Sequence, residues 1–174
     1  MMASERTIMV LSLAMVLLVS ACSGRKGSPL QVVDKVDIPS YMGVWYEIAR
    51  YPNSFQKGCS DSRATYTLLE NGEVEVINEC EKPDGHSLAK GRAWIVDKAS
   101  SAKLKVSFFW PFKGDYWIID LGDEYEYSVV SAPSRKYLWI LSRTPTLPPE
   151  KMEKVEASVA AKGFDLSLLE YNNK

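Results

Sequence analysis

The stretch Gly43-Val44-Trp45-Tyr46-Glu47-Ile48-Ala49-Arg50 decides the fold, because it has the character of a β-strand and opens a series of similar runs. Its aromatic and β-branched residues favour extended structure. Comparable short runs continue as far as Arg143, and turn signals such as Asn71-Gly72 separate them. Closely spaced runs of this kind predict an antiparallel all-β domain.

We predict eight strands in this region. They cover Val44–Tyr51, Ser62–Leu69, Glu73–Cys80, Leu88–Val96, Lys103–Phe109, Tyr116–Leu121, Tyr125–Ser131 and Tyr137–Arg143. Because short links join the strands in order, the pattern favours an up-and-down barrel, in which closure removes the two edges of an open sheet. A two-sheet sandwich would have the same strand count, and periodicity alone does not distinguish the two architectures.

One helix is predicted after the last strand, over residues of about 149–162. Proline at its start and Gly163 beyond its end are the expected boundary residues. Met152, Val155 and Val159 recur at helical spacing and form one apolar stripe. We expect this stripe to pack on the barrel wall, while an amphipathic helix at a membrane is the alternative.

The beginning of the chain is typical of an exported protein. An apolar run from Ile8 to Val19 ends in the small residues Ser20 and Ala21, as in a secretory signal peptide. Leu18-Val19-Ser20-Ala21-Cys22 resembles the bacterial lipobox, which implies acyl chains, palmitate among them, on Cys22. We therefore expect residues 1–21 to be removed, 22–35 to form a lipidated N-terminus with a flexible tether, and 36–174 to form the domain. A plain signal peptide with an incidental cysteine is the alternative.

Composition excludes some classes of function. The formal net charge is -1 with lysine and arginine scattered, which argues against a nucleic-acid-binding protein, since such proteins depend on a basic footprint. The single histidine, His86, lies in a turn-like cluster and is expected to be a solvated loop residue. We therefore expect neither a metal site nor a cofactor.

Two cysteines remain if Cys22 is acylated. Cys59 precedes the second predicted strand and Cys80 ends the third, and these two strands are hairpin partners. The two thiols then lie at one end of the barrel, in a compartment that favours oxidation. We predict a Cys59–Cys80 disulfide.

Three spaced motifs carry a family resemblance. They are Gly43-Val44-Trp45, Gly122-Asp123-Glu124-Tyr125 and Leu138-Trp139-Ile140-Leu141-Ser142-Arg143. Their order resembles the lipocalin family, most of all the bacterial outer-membrane lipoprotein lipocalins and the apolipoprotein D group. The resemblance implies an eight-stranded calyx in which Gly43, Trp45 and Arg143 are structural. In the family the tryptophan plugs the closed end, and the arginine lies across its indole.

The resemblance also implies a set of cavity residues. Similarity to apolipoprotein D suggests that Tyr66, Asn78 and Trp139 face the interior. Because side chains alternate along a strand, the interior gains further members, namely Leu68, Val76, Val106 and Phe108. Such a lining suits an acyl chain. The alternative is that these side chains simply fill the barrel.

The links at the open end contain Phe55, Trp110 and Phe112. Exposed apolar rims tend to mark membrane, partner or ligand surfaces, so we expect these residues to admit a lipid or to form a homodimer contact. Packing of the three rings against one another is the alternative.

These features predict a binding protein that is not an enzyme: a lipoprotein anchored in the bacterial outer membrane and facing the periplasm, which holds or transfers a fatty acid or lysophospholipid in membrane maintenance. One alternative is a structural envelope lipoprotein that binds a protein partner. A ligand-modifying enzyme with a free thiol nucleophile is the other.

The Cys22→Ala variant tests the anchor. Without acyl chains we expect the protein to be released in soluble form while its ligand binding is retained, because several buried acyl chains are what hold it at the membrane. Fractionation with a lipid-binding assay on each fraction measures both properties. Retention of the variant in the membrane pellet would contradict the assignment.

Overall fold

The computed structural model describes residues 28–172. The predicted signal peptide, Cys22 and most of the predicted tether lie outside this range. The described part consists of eight long strands, a short helix before them, a longer helix after them and a short final strand. Within this part, no helix is long and apolar enough to cross a membrane.

The long strands follow one another with short links. They are β1 (Gly43–Arg50), β2 (Ser60–Leu68), β3 (Val74–Lys82), β4 (Gly85–Ile95), β5 (Lys103–Phe109), β6 (Phe112–Leu121), β7 (Tyr127–Ser131) and β8 (Leu138–Ser142). The remaining elements are α1 (Ile38–Tyr41), α2 (Pro149–Ala161), a 3-10 turn (Leu166–Leu168) and β9 (Glu170–Tyr171).

The sheet closes on itself through β1. Consecutive strands from β2 to β8 pair antiparallel, and β1 pairs with β8 on one side and with β2 on the other. The first half of β1 pairs with β2, with Gly43 opposite Tyr66. The second half pairs with β8, with Arg50 opposite Trp139. The predicted up-and-down barrel is therefore confirmed, and the sandwich is excluded.

Two hairpins are longer than the sequence indicates. β4 begins at Gly85 rather than at Leu88, and β6 begins at Phe112 rather than at Tyr116. Gly85 has φ of +124°, which lets a tight turn reverse the chain so that pairing with β3 continues to the tip. His86-Ser87 and Lys113-Gly114-Asp115 interrupt the strand pattern in these extensions, since both faces of a projecting hairpin meet water.

His86 consequently lies in a strand and not in a loop. It is exposed on β4, where its Nδ1 lies 2.8 Å from Glu81 Oε1 and its Nε2 lies 3.4 Å from Glu79 Oε1. These two carboxylates raise the pKa of His86, with the Glu81 hydrogen bond as the largest cause.

The barrel has two different ends. The links β2–β3, β4–β5 and β6–β7 lie at the end that α1 covers, which we call the closed end. The links β1–β2, β3–β4, β5–β6 and β7–β8 lie at the opposite end, which we call the rim.

Trp45 plugs the closed end. Its side chain is fully buried and its Nε1–H donates to the Tyr41 carbonyl at 2.9 Å. The Arg143 guanidinium lies 3.9 Å from the centre of the indole and donates to the carbonyls of Ser40 at 2.7 Å and Val44 at 3.1 Å. Gly43 has φ of +96°, a conformation that favours glycine, and a Cβ there would lie 3.3 Å from Arg143 Nη1.

The helix α2 lies on the outside of the barrel. Val155 and Val159 are fully buried against a wall of outward-facing apolar residues, and Met152 packs at the margin. That wall includes Ile119, Val129, Leu138 and Ile140. The apolar stripe of α2 therefore packs on the barrel wall, as predicted.

The Arg143→Gln variant tests the closed end. It removes the cation–π contact and at least one of the two carbonyl interactions, so we expect the free energy of unfolding to fall by about 2 kcal/mol. Arg92→Gln is the matched control, because the Arg92 guanidinium lies 3.8 Å from Glu75 on the surface. Such a pair contributes about 0.5 kcal/mol or less. Urea unfolding measures both, and equal stability of the two variants would contradict the role given to Arg143.

Candidate functional site

The half of the barrel interior next to the closed end is closely packed. Inward-facing side chains from all around the sheet form one buried apolar cluster above Trp45. Its members include Ala64, Tyr66, Val74, Val76, Ala93, Leu104, Ile118, Val130 and Leu141. This cluster fills the base of the barrel around Trp45, so the inward-facing residues nearer the rim are the candidates for a binding site.

Nearer the rim, inward-facing residues become exposed. Asn78 follows Val76 on the inner face of β3 and pairs with Ala89 of β4, yet both residues are exposed. Ala89 lies beyond Arg92, the first β4 residue that pairs with β5, so water reaches the inner face of the hairpin at this level. Val106 and Phe108 on β5 are half-buried and pack on the buried cluster above Trp45. They form an apolar wall between this cluster and the rim.

Three tyrosine hydroxyls meet inside the packed core. Tyr116 Oη lies 2.9 Å from Tyr41 Oη and 3.0 Å from Tyr66 Oη, and Tyr41 Oη lies 2.9 Å from Ser128 Oγ. Burial raises the pKa of Tyr41 to about 12 and also raises the pKa of Tyr66 and Tyr116. The network is therefore polar and uncharged over the ordinary range of pH.

A buried ion pair lies on the inner side of β1. Arg50 Nη1 donates to Glu47 Oε1 at 2.5 Å, and both side chains are largely excluded from water. Gln56, from the β1–β2 link, donates to Glu47 Oε2 at 2.7 Å and accepts from Trp139 Nε1 at 2.8 Å. Since a buried charge is costly without partners, this cluster fixes the β1–β2 link over the inside of β1 and β8.

Sequence reasoning missed this cluster. One signal was present: alternation from the inward Trp45 places Glu47 inward as well. Arg50 could not be assigned in the same way, because the register of β1 against β8 shifts between Glu47 and Ala49 and changes which face the later residues occupy.

Most of the predicted cavity residues share the inner face. Tyr66 and Val76 belong to the packed core, and four of the remaining residues on this face are half-buried or exposed. These are Asn78, Val106, Phe108 and Trp139.

Leu68 is the exception, and its predicted place in the cavity is wrong. It lies 41% exposed at the closed end of β2, opposite Val74. Alternation assigns it to the inner face, but β1 begins at Gly43 opposite Tyr66, so Leu68 lies beyond the end of the neighbouring strand. No wall encloses it on that side.

The rim contains the predicted aromatic residues. Phe55 is 59% exposed, and its ring centre lies 5.7 Å from that of Tyr137 and 6.2 Å from that of Trp139. Trp110 and Phe112, at the tip of the β5–β6 hairpin, are 82% and 77% exposed. The alternative, packing of the three rings against one another, therefore does not occur, because Phe55 packs on β8 and the hairpin tip faces solvent.

The predicted disulfide is confirmed. Cys59 and Cys80 are bonded, with their Cα atoms 5.4 Å apart, and join the β1–β2 link to the end of β3. Closing a loop of this size stabilises a fold by about 3 kcal/mol. The bond also holds the link that positions Gln56.

A scan against family models matches residues 36–174 to a lipocalin-like domain. The chain belongs to the lipocalin family. This lipocalin is 43% identical over 157 residues to the outer membrane lipoprotein Blc of Citrobacter freundii, covering 87% of this chain and 88% of that protein. It is 37% identical over 154 residues to apolipoprotein D of Mus musculus, covering 82% and 79%. The predicted resemblance is thereby confirmed.

Solved structures agree on the fold of this lipocalin. Insecticyanin from the tobacco hornworm Manduca sexta superposes with a TM-score of 0.70 at 20% identity, covering 85% of this chain and 86% of that one. At that identity the likeness concerns the architecture and not the ligand.

Alkaline titration tests the tyrosine network. Because burial raises the pKa of these hydroxyls above the unfolded value of about 10, folding stability is complete below pH 10. It is lost as the pH rises from 10 through the folded value of about 12 for Tyr41, since the unfolded chain releases its protons first. We expect part of the phenolate absorbance at 295 nm to appear only as circular dichroism reports unfolding, and Tyr66→Phe to reduce that late part. Full ionisation near pH 10 with the barrel intact would contradict the network.

Proposed function

We propose that this lipocalin is an acylated envelope lipoprotein that holds one single-chain lipid, a fatty acid or a lysophospholipid, in the half of its barrel nearer the rim. It would store such molecules or transfer them between the membrane and the periplasm. The observation that carries the proposal is the inner face of β3, β4 and β5 near the rim, where Asn78 and Ala89 are exposed and Val106 and Phe108 are half-buried.

The shape and chemistry of this space support a lipid tail. Val106 and Phe108 supply apolar surface, and Gly91 on the neighbouring strand leaves room for the Phe108 ring, whose Cδ1 would lie 2.8 Å from a Cβ at that position. An acyl chain lying along this wall would displace water from apolar surface, at about 25 cal/mol per Å².

Polar groups support a head group near the rim. Asn78 can donate and accept without carrying charge, and the Arg50 Nε–H is buried without a partner among residues 28–172. A phosphate or carboxylate is an acceptor that such donors recognise. The Glu47 carboxylate beside them would in turn favour a head group that also carries an ammonium.

The location is proposed on two grounds. The lipobox-like segment ending at Cys22 provides an acylation site, and several relatives are named as outer membrane lipoproteins, from Citrobacter freundii, Escherichia coli and Vibrio cholerae. We therefore place this lipocalin at the outer membrane, facing the periplasm, with membrane maintenance as its role.

The enzyme alternative has less support. It needs a thiolate at the rim, and the bond between Cys59 and Cys80 occupies both sulfur atoms. The relatives reported above are named as a lipoprotein and an apolipoprotein. A structural lipoprotein with a filled barrel is the remaining alternative, and it predicts no saturable lipid binding.

Two tryptophan variants on neighbouring residues test the proposal. Ala89→Trp places an indole in the proposed cavity, whereas Lys90→Trp places the same indole on the outer face of the same strand. We expect Ala89→Trp to weaken binding of a fluorescent lysophospholipid at least about tenfold, which corresponds to about 1.4 kcal/mol. Lys90→Trp should stay within about twofold of the unaltered protein.

Thermal unfolding of both variants shows whether each one is folded. Equal affinities for two folded variants would contradict a site inside the barrel. Absence of saturable binding by the unaltered protein would favour the structural alternative.

A further inference from the structure

The tip of the β5–β6 hairpin is the most exposed apolar surface in the described part of the protein. Phe109, Trp110 and Phe112 are 78%, 82% and 77% exposed. They belong to an uncharged run from Phe108 to Phe112, and three large aromatic rings side by side are unusual on a surface that only water covers.

The hairpin projects beyond its neighbour. The first pairing between β6 and β7 joins Trp117 to Ser131, so the five residues from Phe112 to Tyr116 have no partner on β7. At about 3.4 Å per residue they extend about 17 Å past that pairing. The aromatic tip therefore extends past the end of β7 toward any surface that faces the rim.

The N-terminal segment enters the described fold at the same end. Arg135, in the β7–β8 link, donates to the Ser28 carbonyl at 2.8 Å. From there the segment runs along the outside of the barrel, where Val33 N–H donates to Ile118 O at 3.1 Å and Val36 N–H donates to Ser100 O at 2.8 Å. Since Ser100 lies in the β4–β5 link, the segment spans the barrel from rim to closed end.

The length of the tether then limits how the barrel can face the membrane. Six residue steps separate Cys22 from Ser28, and they span at most about 20 Å. The nine residues of β2 extend about 30 Å, which at a tilt of about 40° makes the barrel at least about 23 Å tall. An anchor at Cys22 can therefore bring the rim to the bilayer, but the tether is too short to turn the closed end toward it.

We propose that the aromatic tip Phe109–Phe112 inserts into the surface of the bilayer that holds the Cys22 acyl chains, so that the open rim faces the lipid. The inference rests on the proposed acylation and deepens the proposed function, because it assigns the route of the ligand. Aromatic side chains, tryptophan above all, favour the level of the head groups. Lys113 follows the tip, is exposed and forms no ion pair within the described range, so its ammonium is free to reach lipid phosphates.

Quenching by brominated lipids tests the insertion directly. The full-length acylated protein is reconstituted into vesicles of phosphatidylethanolamine and phosphatidylglycerol in which the acyl chains carry bromine. We expect the tryptophan fluorescence to be partly quenched, and Trp110→Phe to remove most of the quenchable part. Trp94→Phe is the matched control, since Trp94 lies on the outer face of β4 near the closed end, and it should leave the quenched amount unchanged. Quenching that Trp110→Phe does not alter would overturn the proposal, as would no quenching at all.

A triple variant, Phe109→Ser, Trp110→Ser and Phe112→Ser, tests the consequence for the ligand. All three side chains are exposed, so we expect an unchanged melting temperature and an unchanged affinity for a soluble lysophospholipid probe. Uptake of the same probe from vesicles should slow at least about tenfold. Unchanged uptake would overturn the proposed route.

The outcomes separate this inference from the proposed function. Quenching through Trp110 without any lipid binding would leave the docking intact and remove the ligand. Lipid binding without quenching would leave the lipid site intact and overturn the docking. If the triple variant instead converts a dimer to a monomer in sedimentation while the unaltered protein shows no quenching, the tip is a contact between two copies and the proposal is wrong.

Discussion

The structure depends on one strand pairing with two neighbours at once. β1 bonds with β2 through its first residues and with β8 through its last, and the register shift between Glu47 and Ala49 accompanies the transfer from one partner to the other. Without that double pairing the sheet would have two open edges and no interior. Trp45 lies on the same strand and fills the closed end, so closure of the sheet and closure of the base come from one segment.

The same strand also determines the chemistry of the interior. Below the register shift it contributes an indole to the packed base, and near the shift it contributes the buried pair of Glu47 and Arg50. The barrel interior therefore combines apolar packing and neutral tyrosine hydroxyls with a buried group of charged and amide side chains beside β1. This combination supports the proposal of an amphiphile with one tail over a wholly apolar molecule.

Much of the fold was predictable from the sequence, because alternating and β-rich runs between turn residues reflect strand geometry directly. The Cys59–Cys80 bond was predictable too, since hairpin partners bring their ends together. The predicted bounds were wrong at the β3–β4 and β5–β6 hairpins, where both faces meet water and the alternation disappears. Arg50 was missed because a register shift changes its face. Leu68 was misplaced because alternation does not report where the neighbouring strand begins.

The proposed membrane contact and the proposed lipid site both lie at the rim. The chain reaches the described fold beside Arg135 at the rim, and the aromatic hairpin projects from that same end. With the proposed anchor at Cys22, this geometry would place a bound lipid within a short distance of the membrane. The disulfide strengthens the arrangement, because it joins the link that holds Gln56 to the strand that carries Asn78.

The central claim is that the barrel holds one single-chain lipid. Native mass spectrometry of the acylated protein, extracted from its own envelope in a mild detergent, measures this most directly. The account predicts a population heavier than the acylated chain by one fatty acid or one lysophospholipid, released on collisional activation. A single species at the mass of the acylated chain, with no adduct before or after incubation with those lipids, would contradict it.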